Sequence, residues 1–372
     1  MRRLRWVLIP LDVLGLLLML FLLLWSRHYH LPPAVFAQAG PERSIVLPRD
    51  EGAHLGYANE WWYYTGHLER DDGVRYGFEL VFFKAYLPSQ ARMGPLPLNW
   101  LASPGYVAQF AITEEETDRF TYFERSNVPF CWQGGAQEDH YNVWVGGWWV
   151  TGVGGAHHLQ AAAGDYALAL DLRAARDRPV LHGQDGLVAM GQGGYSYYTS
   201  YPRMVGSGTL QVARQTYRVQ ALAWMDHQWG SWDWSNFQGW DWAGLQLDDG
   251  SALMLFSFRE ADGRPGVQGG TYIASGGRVT PLEEGDLRVR ETGTWFSAET
   301  GATYPSGWEV EVVSEELVIT ITPVVPESEI VSQATPIYWE GSVVVEGERA
   351  GQSIAGVGYV ELTGYAASGH GR

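Results

Sequence analysis

The sequence predicts an all-β chain: two similar antiparallel barrels in tandem behind an apolar N-terminal helix. Three observations predict it. From about Ser44 onward, short segments such as "RYGFELVFFKAY", "YALALDLRA", "SALMLFSFRE", "WEVEVVSEELVITITP" and "EGSVVVEG" alternate or cluster β-formers between Gly, Asp and Pro. Long helical periodicity is absent over the same stretch. Finally, the chain echoes itself. "WYYTGHLERDDGVRYGFELVFF" and "WAGLQLDDGSALMLFSF" both run Trp, Leu, Asp-Asp-Gly and then an apolar strand. "GTLQV…RVQALAWMDH" matches "GSVVV…GVGYVELTGY" in the same way and places Asp226 opposite Glu361. One duplication accounts for both matches.

Taken in order, the chain begins with Arg2, Arg3 and Arg5 followed by an apolar run interrupted only by Pro10 and Asp12, long enough to span a bilayer. The arginines belong on the cytoplasmic side, which puts the remainder outside it, periplasmic or extracellular. Residues 1–30 therefore read as an uncleaved membrane anchor. The alternative is a signal peptide cut near "AQA", Ala37 to Ala39, which would release a secreted protein. Residues 31–48 form a Pro- and Ala-containing linker, 49–229 the first barrel and 230–368 the second. Asp71-Asp72-Gly73 and Asp248-Asp249-Gly250 read as hairpin turns, and "ITEEETDRF" as a short helix or acidic turn.

Composition narrows the function. The 25 Lys+Arg against 42 Asp+Glu leave a net charge of −17, which repels polyanions and argues against nucleic acid as a partner. Cys131 is the only cysteine, so neither an intrachain disulfide nor a cysteine zinc site is available. Lys84 is the only lysine, leaving little scope for Schiff-base chemistry. No nucleophile elbow, H-E-x-x-H helix, P-loop or dinucleotide fingerprint occurs, and no cofactor or metal is expected. The 18 tryptophans exceed what one core needs. They make an aromatic-lined ligand site a natural expectation.

Two stretches hold acids among those aromatics. In "NEWWYYTGHL" (Asn59 to Leu68), strand alternation puts Glu60, Trp62 and Tyr64 on one face and Trp61 and Tyr63 on the other. In "AWMDHQWGSWDWSNFQGWDWAGLQL" (Ala223 to Leu247), Trp224, Asp226 and Gln228 share a face opposite Met225, His227 and Trp229. Asp226 and His227 then diverge unless a bulge intervenes, which Gly230 would permit. Asp226 is either a structural carboxylate at the domain junction or a functional acid, because aromatic surroundings raise a carboxyl pKa. His157-His158 and Asp139-His140 read as surface polar pairs.

"NEWWYYTGHL…YGFELVFF", "GYSYYTSYPRMVGSGTL", "AWMDHQWG", "GWDWAGLQLDDG" and "YWEGSVVVEG…GYVELTGY", in this order, resemble the AttH/CrtC family. That family comprises carotenoid 1,2-hydratases (hydroxyneurosporene synthases) and proteins described as secreted hydrolases. The resemblance runs from about Gly52 to Tyr365 and implies two lipocalin-like barrels with a hydrophobic, isoprenoid or lipid-like ligand. For a hydratase it implies a neutral acid that protonates a carbon–carbon double bond, π-faces around the cation, and a group that directs water. Carried over, Asp226 is the proton donor, His227 its partner or the water-directing base, and Glu60 the alternative acid. Trp229 and Trp242 shield the cation; Trp61, Trp62, Tyr198 and Arg203 complete the ligand site. The N-terminal anchor sets this chain nearer the secreted branch than the pigment-pathway hydratases.

Closing the first barrel should bring Glu60, Trp62, Tyr198, Arg203, Asp226, His227 and Trp229 to one pocket, with Arg203 as counter-ion to one acid and a raised pKa on the other. Two functions remain open: an acid-catalysed enzyme, hydro-lyase or hydrolase-like, and a non-catalytic lipocalin-like carrier of an apolar ligand at the membrane surface.

Overall fold

The computed structural model describes residues 35–86, 104–127 and 133–366, with isolated positions before and between them (13, 15–17, 19–20, 92–93 and 96–97). Most of the expected N-terminal anchor, and Cys131, lie outside this set. Among the described residues, no helix is long and apolar enough to cross a membrane. Among the described residues from Asn59 on, regular structure is strand, apart from single turns of 3-10 helix. One of these turns, Glu115–Thr117, sits inside the acidic segment read as a short helix or turn.

Two antiparallel sheets each curl into a nearly closed barrel with the same plan. In the first, the Asn59–Arg70 strand pairs with Arg75–Ala85 on one side and Gln215–Gly230 on the other. In the second, Phe237–Leu247 lies between Ala252–Glu260 and Gln352–Thr363. The last long strand of each half thus returns to the first, as the internal repeat requires. Gly73 and Gly250 both take φ +85°, the left-handed geometry that the Asp-Asp-Gly turns need and that glycine adopts without strain. The hydrophobic core inside the first barrel runs from Trp62, Tyr64, Phe78 and Phe82 to Leu210 and Ala223. Inside the second it includes Leu245, Leu253, Trp308, Trp339, Val343 and Leu362.

These strands are covered on both faces. A third apolar cluster, with Tyr63, Val81, Tyr198, Trp224, Trp242, Met254 and Tyr359, joins outward-facing residues of the two barrels into a seam. Alternation assigns each side chain to a barrel interior or to this seam, so the register of the Asn59–Arg70 strand fixes both at once. Residues 35–48, read as a linker, in part pack on the first barrel: Ala39 is buried with Tyr57, Tyr197 and Trp229, and the Tyr197 hydroxyl donates to the Gly40 carbonyl at 2.8 Å.

Candidate functional site: a seam of buried acids

Glu60 points into the first barrel. Its Oε2 accepts from the Lys84 ammonium at 3.0 Å and from the His54 backbone N–H at 2.8 Å. Its Oε1 meets His54 Nδ1 at 2.7 Å and His227 Nε2 at 2.8 Å; a carboxylate only accepts, so both imidazole nitrogens carry hydrogen there. The two other ammonium hydrogens of Lys84 go to the carbonyls of His54 and Tyr57, at 2.6 and 3.1 Å. The His54 ring stacks on Trp229 with centroids 3.9 Å apart, and Trp62 covers His227 at 5.1 Å. Burial alone would raise the Glu60 pKa, but the charges of Lys84 and His54 and the imidazole hydrogen bonds hold it well below the usual range. Glu60 is a fixed carboxylate with no proton to give.

His54, Glu60 and His227 could offer metal-ligand atoms, which lie within 4.8 Å of one another. The donor set argues against a cation here: Lys84 already neutralises Glu60, and both imidazoles are spent on its Oε1.

Asp226 faces the other way. It pairs in register with Tyr63 while Glu60 pairs with Trp229, three positions apart, with its side chain on the opposite side of the sheet. It is 3% exposed. Oδ1 accepts from Trp224 Nε1 at 2.6 Å and from the Ser200 hydroxyl; Oδ2 accepts from Tyr198 at 2.5 Å. Ser200 meets His182 Nε2 at 2.6 Å, and His182 Nδ1 reaches Thr271 of the second barrel at 2.8 Å. Burial raises the Asp226 pKa to about 7 against the pull of its Ser200, Tyr198 and Trp224 hydrogen bonds. No cationic side chain contributes to that balance.

Asp226 has company across the seam. Trp242 donates from Nε1 to the Tyr198 oxygen at 2.8 Å, and its ring lies 5.3 Å from Tyr63 and 6.0 Å from Trp224. Glu361, held by the Trp240 indole N–H, is raised to about 7 by burial and by the charges of Asp226 and Asp241. Aromatics lead from here to solvent: Trp240 lies 5.3 Å from Trp234, which is 40% exposed and 6.3 Å from Trp61.

The expected single pocket is therefore two sites on opposite faces of one sheet. Tyr198, Asp226, Trp61 and Trp242 meet in or at the seam; Glu60, Trp62, His227 and Trp229 lie together inside the first barrel. His227 is not the partner of Asp226: no bulge interrupts their strand at this point, so neighbouring residues diverge. Arg203 is no counter-ion. The register shifts between Tyr201 and Met204, and its guanidinium instead donates to the Leu247 carbonyl at 2.8 Å. Lys84 holds the place expected for Arg203. His157 is buried against the Tyr64 hydroxyl at 2.7 Å rather than lying on the surface, whereas His158 and His140 are exposed. Sequence reasoning missed His54 and His182, which sit in turns without periodicity. It also passed over Glu79 and Glu340, whose signal was a lone acid within an apolar strand.

Fold and site together define a tandem-barrel protein whose two halves meet over buried, uncompensated acids. The AttH-like family profile matches residues 38–365, and the chain belongs to that family. A protein from Nitrosomonas europaea described as an AttH is 29% identical, covering 89% of this chain and 100% of its own, with a TM-score of 0.79. Kievitone hydratase from Nectria haematococca shares the fold at 13% identity, covering 88% of this chain and 95% of its own, with a TM-score of 0.69. CghA does so at 14%, covering 92% and 98%, with a TM-score of 0.51. No protein with a curated description matches the chain.

Proposed function

We propose that the chain binds an uncharged, unsaturated apolar molecule at the aromatic end of the seam and catalyses acid-assisted hydration of a carbon–carbon double bond. The observation that carries this reading is the hydrogen-bond inventory of Asp226. Trp224 Nε1 can only donate, and it shares Oδ1 with Ser200. The proton of neutral Asp226 therefore belongs on Oδ2, where Tyr198 is the partner. With that proton in place the Tyr198–Oδ2 hydrogen bond runs in the reverse sense, so that the Tyr198 oxygen accepts from both Asp226 and Trp242 and its own hydrogen is free to point at a ligand.

In the forward step the Tyr198 hydrogen moves to one alkene carbon as the Asp226 proton replaces it on the phenol. Asp226 is left a carboxylate with donors from Tyr198, Ser200 and Trp224. The π-faces of Trp242 and Tyr63 stabilise the cation formed on the other carbon. Water adds there, and its surplus proton returns through Tyr198 to Asp226, so the enzyme ends as it began. His182, kept neutral by burial with its pKa lowered to about 3, orients Ser200 without adding charge. The structural likeness to kievitone hydratase, a hydratase by name, agrees with this chemistry at the level of fold.

The test is incubation with prenylated and polyene compounds in 18O-water, read by mass spectrometry. The reading expects 18O incorporated into product by the wild type and lost, with ligand binding retained, in Asp226→Asn. Binding without incorporation by the wild type would make the protein a carrier, and incorporation unchanged in Asp226→Asn would remove Asp226 from the chemistry.

A further inference from the structure

Deeper in the seam lies a second group of acids that this chemistry does not use. Glu79 faces outward from the Arg75–Ala85 strand, opposite Thr65. Glu340 and Ser342 face it from the Tyr338–Arg349 strand of the second barrel, opposite Glu361 and Tyr359. Tyrosine hydroxyls bridge the barrels here: Tyr63 donates to Glu340 Oε1 at 2.6 Å, and the Tyr338 hydroxyl lies 2.8 Å from Glu79 Oε1 and 2.6 Å from Gln109 Oε1. The two barrels approach closely here, since a Cβ on Gly77 would collide with the Tyr359 hydroxyl. Glu79, Thr65, Glu340 and Ser342 are all 0–1% exposed.

Each carboxyl thus has one oxygen held by a tyrosine and one left over. Glu79 Oε2, Glu340 Oε2, Ser342 Oγ and Thr65 Oγ1 are buried with no protein partner. Buried polar atoms are rarely left so, and four on facing strands mark a place built to hold something. The contrast with Glu60 says what. On the far side of the same sheet, this chain neutralises a buried carboxylate with its only lysine and two imidazoles. Here His67, which faces the seam from the Asn59–Arg70 strand, is occupied, with Nε2 3.2 Å from the Gly358 carbonyl and Nδ1 3.7 Å from Glu115. Arg75 is likewise paired with Glu115, at 2.8 Å. The other charged group acting on this pair is again an acid, Glu361.

We propose that Glu79 and Glu340, with the hydroxyls of Ser342 and Thr65, form a binding site for calcium between the two barrels. The donors are all oxygen, which selects a hard cation. Carboxylates mixed with neutral hydroxyls suit calcium better than magnesium, which keeps most of its water. Two carboxylates match its charge, and bound there it would tie one barrel to the other.

The test is calcium content and melting of the purified protein, refolded from guanidinium with about 1 mM calcium or with chelator. Native mass spectrometry should show one calcium per chain, with a higher melting temperature than the chelated form. Magnesium at equal concentration should give no comparable shift. Glu79→Gln with Glu340→Gln, which copies the protonated pair in shape, should fold and lose the bound calcium. Ser342→Ala should weaken binding by at least tenfold if the double variant proves insoluble. A wild type that binds no calcium, or variants that bind it as well as the wild type, would overturn the proposal.

Discussion

Replacing Asp226 with Asn should remove a pH dependence of stability that the wild type carries. The folded pKa of about 7 stands against an ordinary value of 3.8, a gap of about 3 units worth roughly 1.4 kcal/mol each, or about 4 kcal/mol. Between about pH 4 and 7 the folded state keeps the proton while the unfolded chain has lost it, so the folded state binds more protons and stability falls as pH rises. The loss is complete once pH passes the folded pKa. Burial at Glu361 and Glu79, raised to about 7 and about 8, acts in the same direction. The substituted asparagine would resemble the protonated acid: its carbonyl accepts from Trp224 and Ser200, and its amide donates to the Tyr198 oxygen. Urea unfolding followed by tryptophan fluorescence should therefore show the two proteins alike near pH 4. The variant should pull ahead to about 4 kcal/mol by about pH 7 and hold that lead above it. Parallel curves for the two proteins across this range would mean that Asp226 is not a buried neutral acid.

Other perturbations separate the two faces of the sheet. Lys84→Met strands the Glu60 carboxylate and should cost about 3–5 kcal/mol in urea unfolding, with Glu60→Gln in the same chain recovering part of it. Arg203→Ala loses a single bond to a carbonyl and should cost only about 1 kcal/mol. Tyr198→Phe should abolish 18O incorporation as fully as Asp226→Asn while leaving ligand binding measurable, and wild-type turnover should decline above about pH 7 as Asp226 loses its proton. Gly77→Ala drives a methyl against the Tyr359 hydroxyl and should lower the melting temperature, at a cost of about 1–3 kcal/mol.

Much of this architecture was legible in the sequence. The internal repeat anticipates two barrels closed in the same way, and alternation correctly separates Glu60, Trp62 and Tyr64 from Trp61 and Tyr63, and Asp226 from His227. Alternation could not say which face was the interior. A strand covered on both sides reads apolar on both, and the usual polar face that orients it is missing. The expectation of one shared pocket came from treating both acids as residents of a single interior. The Arg203 expectation failed at a register shift that no residue pattern announces. The misreading of His157 was avoidable, since "AHHLQAAA" places His157, Leu159 and Ala161 on one face. Contacts made by turns, such as those of His54 and His182, follow no period at all.

The Glu60 cluster, though it holds no transferable proton, bears directly on the seam. A strand slipped by one residue exchanges its faces; here that would turn Tyr63 inward and Glu60 outward among acids that have no cation to share. What forbids the slip is the pairing of Glu60 with Lys84 on one neighbouring strand and Trp229 on the other, because the ion pair and both imidazole bonds form in that register. Burying a carboxylate with the only lysine is a poor route to stability on its own, since an apolar pair of the same volume often does as well. Its specificity is the gain. By locking the Asn59–Arg70 strand, the pair fixes Tyr63 towards Glu340 and, through the matching register of Gln215–Gly230, Asp226 towards Tyr198. A Lys84→Met, Glu60→Leu double variant that keeps its stability should therefore lose definition in the seam. Broadened NMR resonances for the Trp224 and Trp242 indole N–H groups would report it; sharp, unshifted ones would show that the rest of the sheet sets the register without the ion pair.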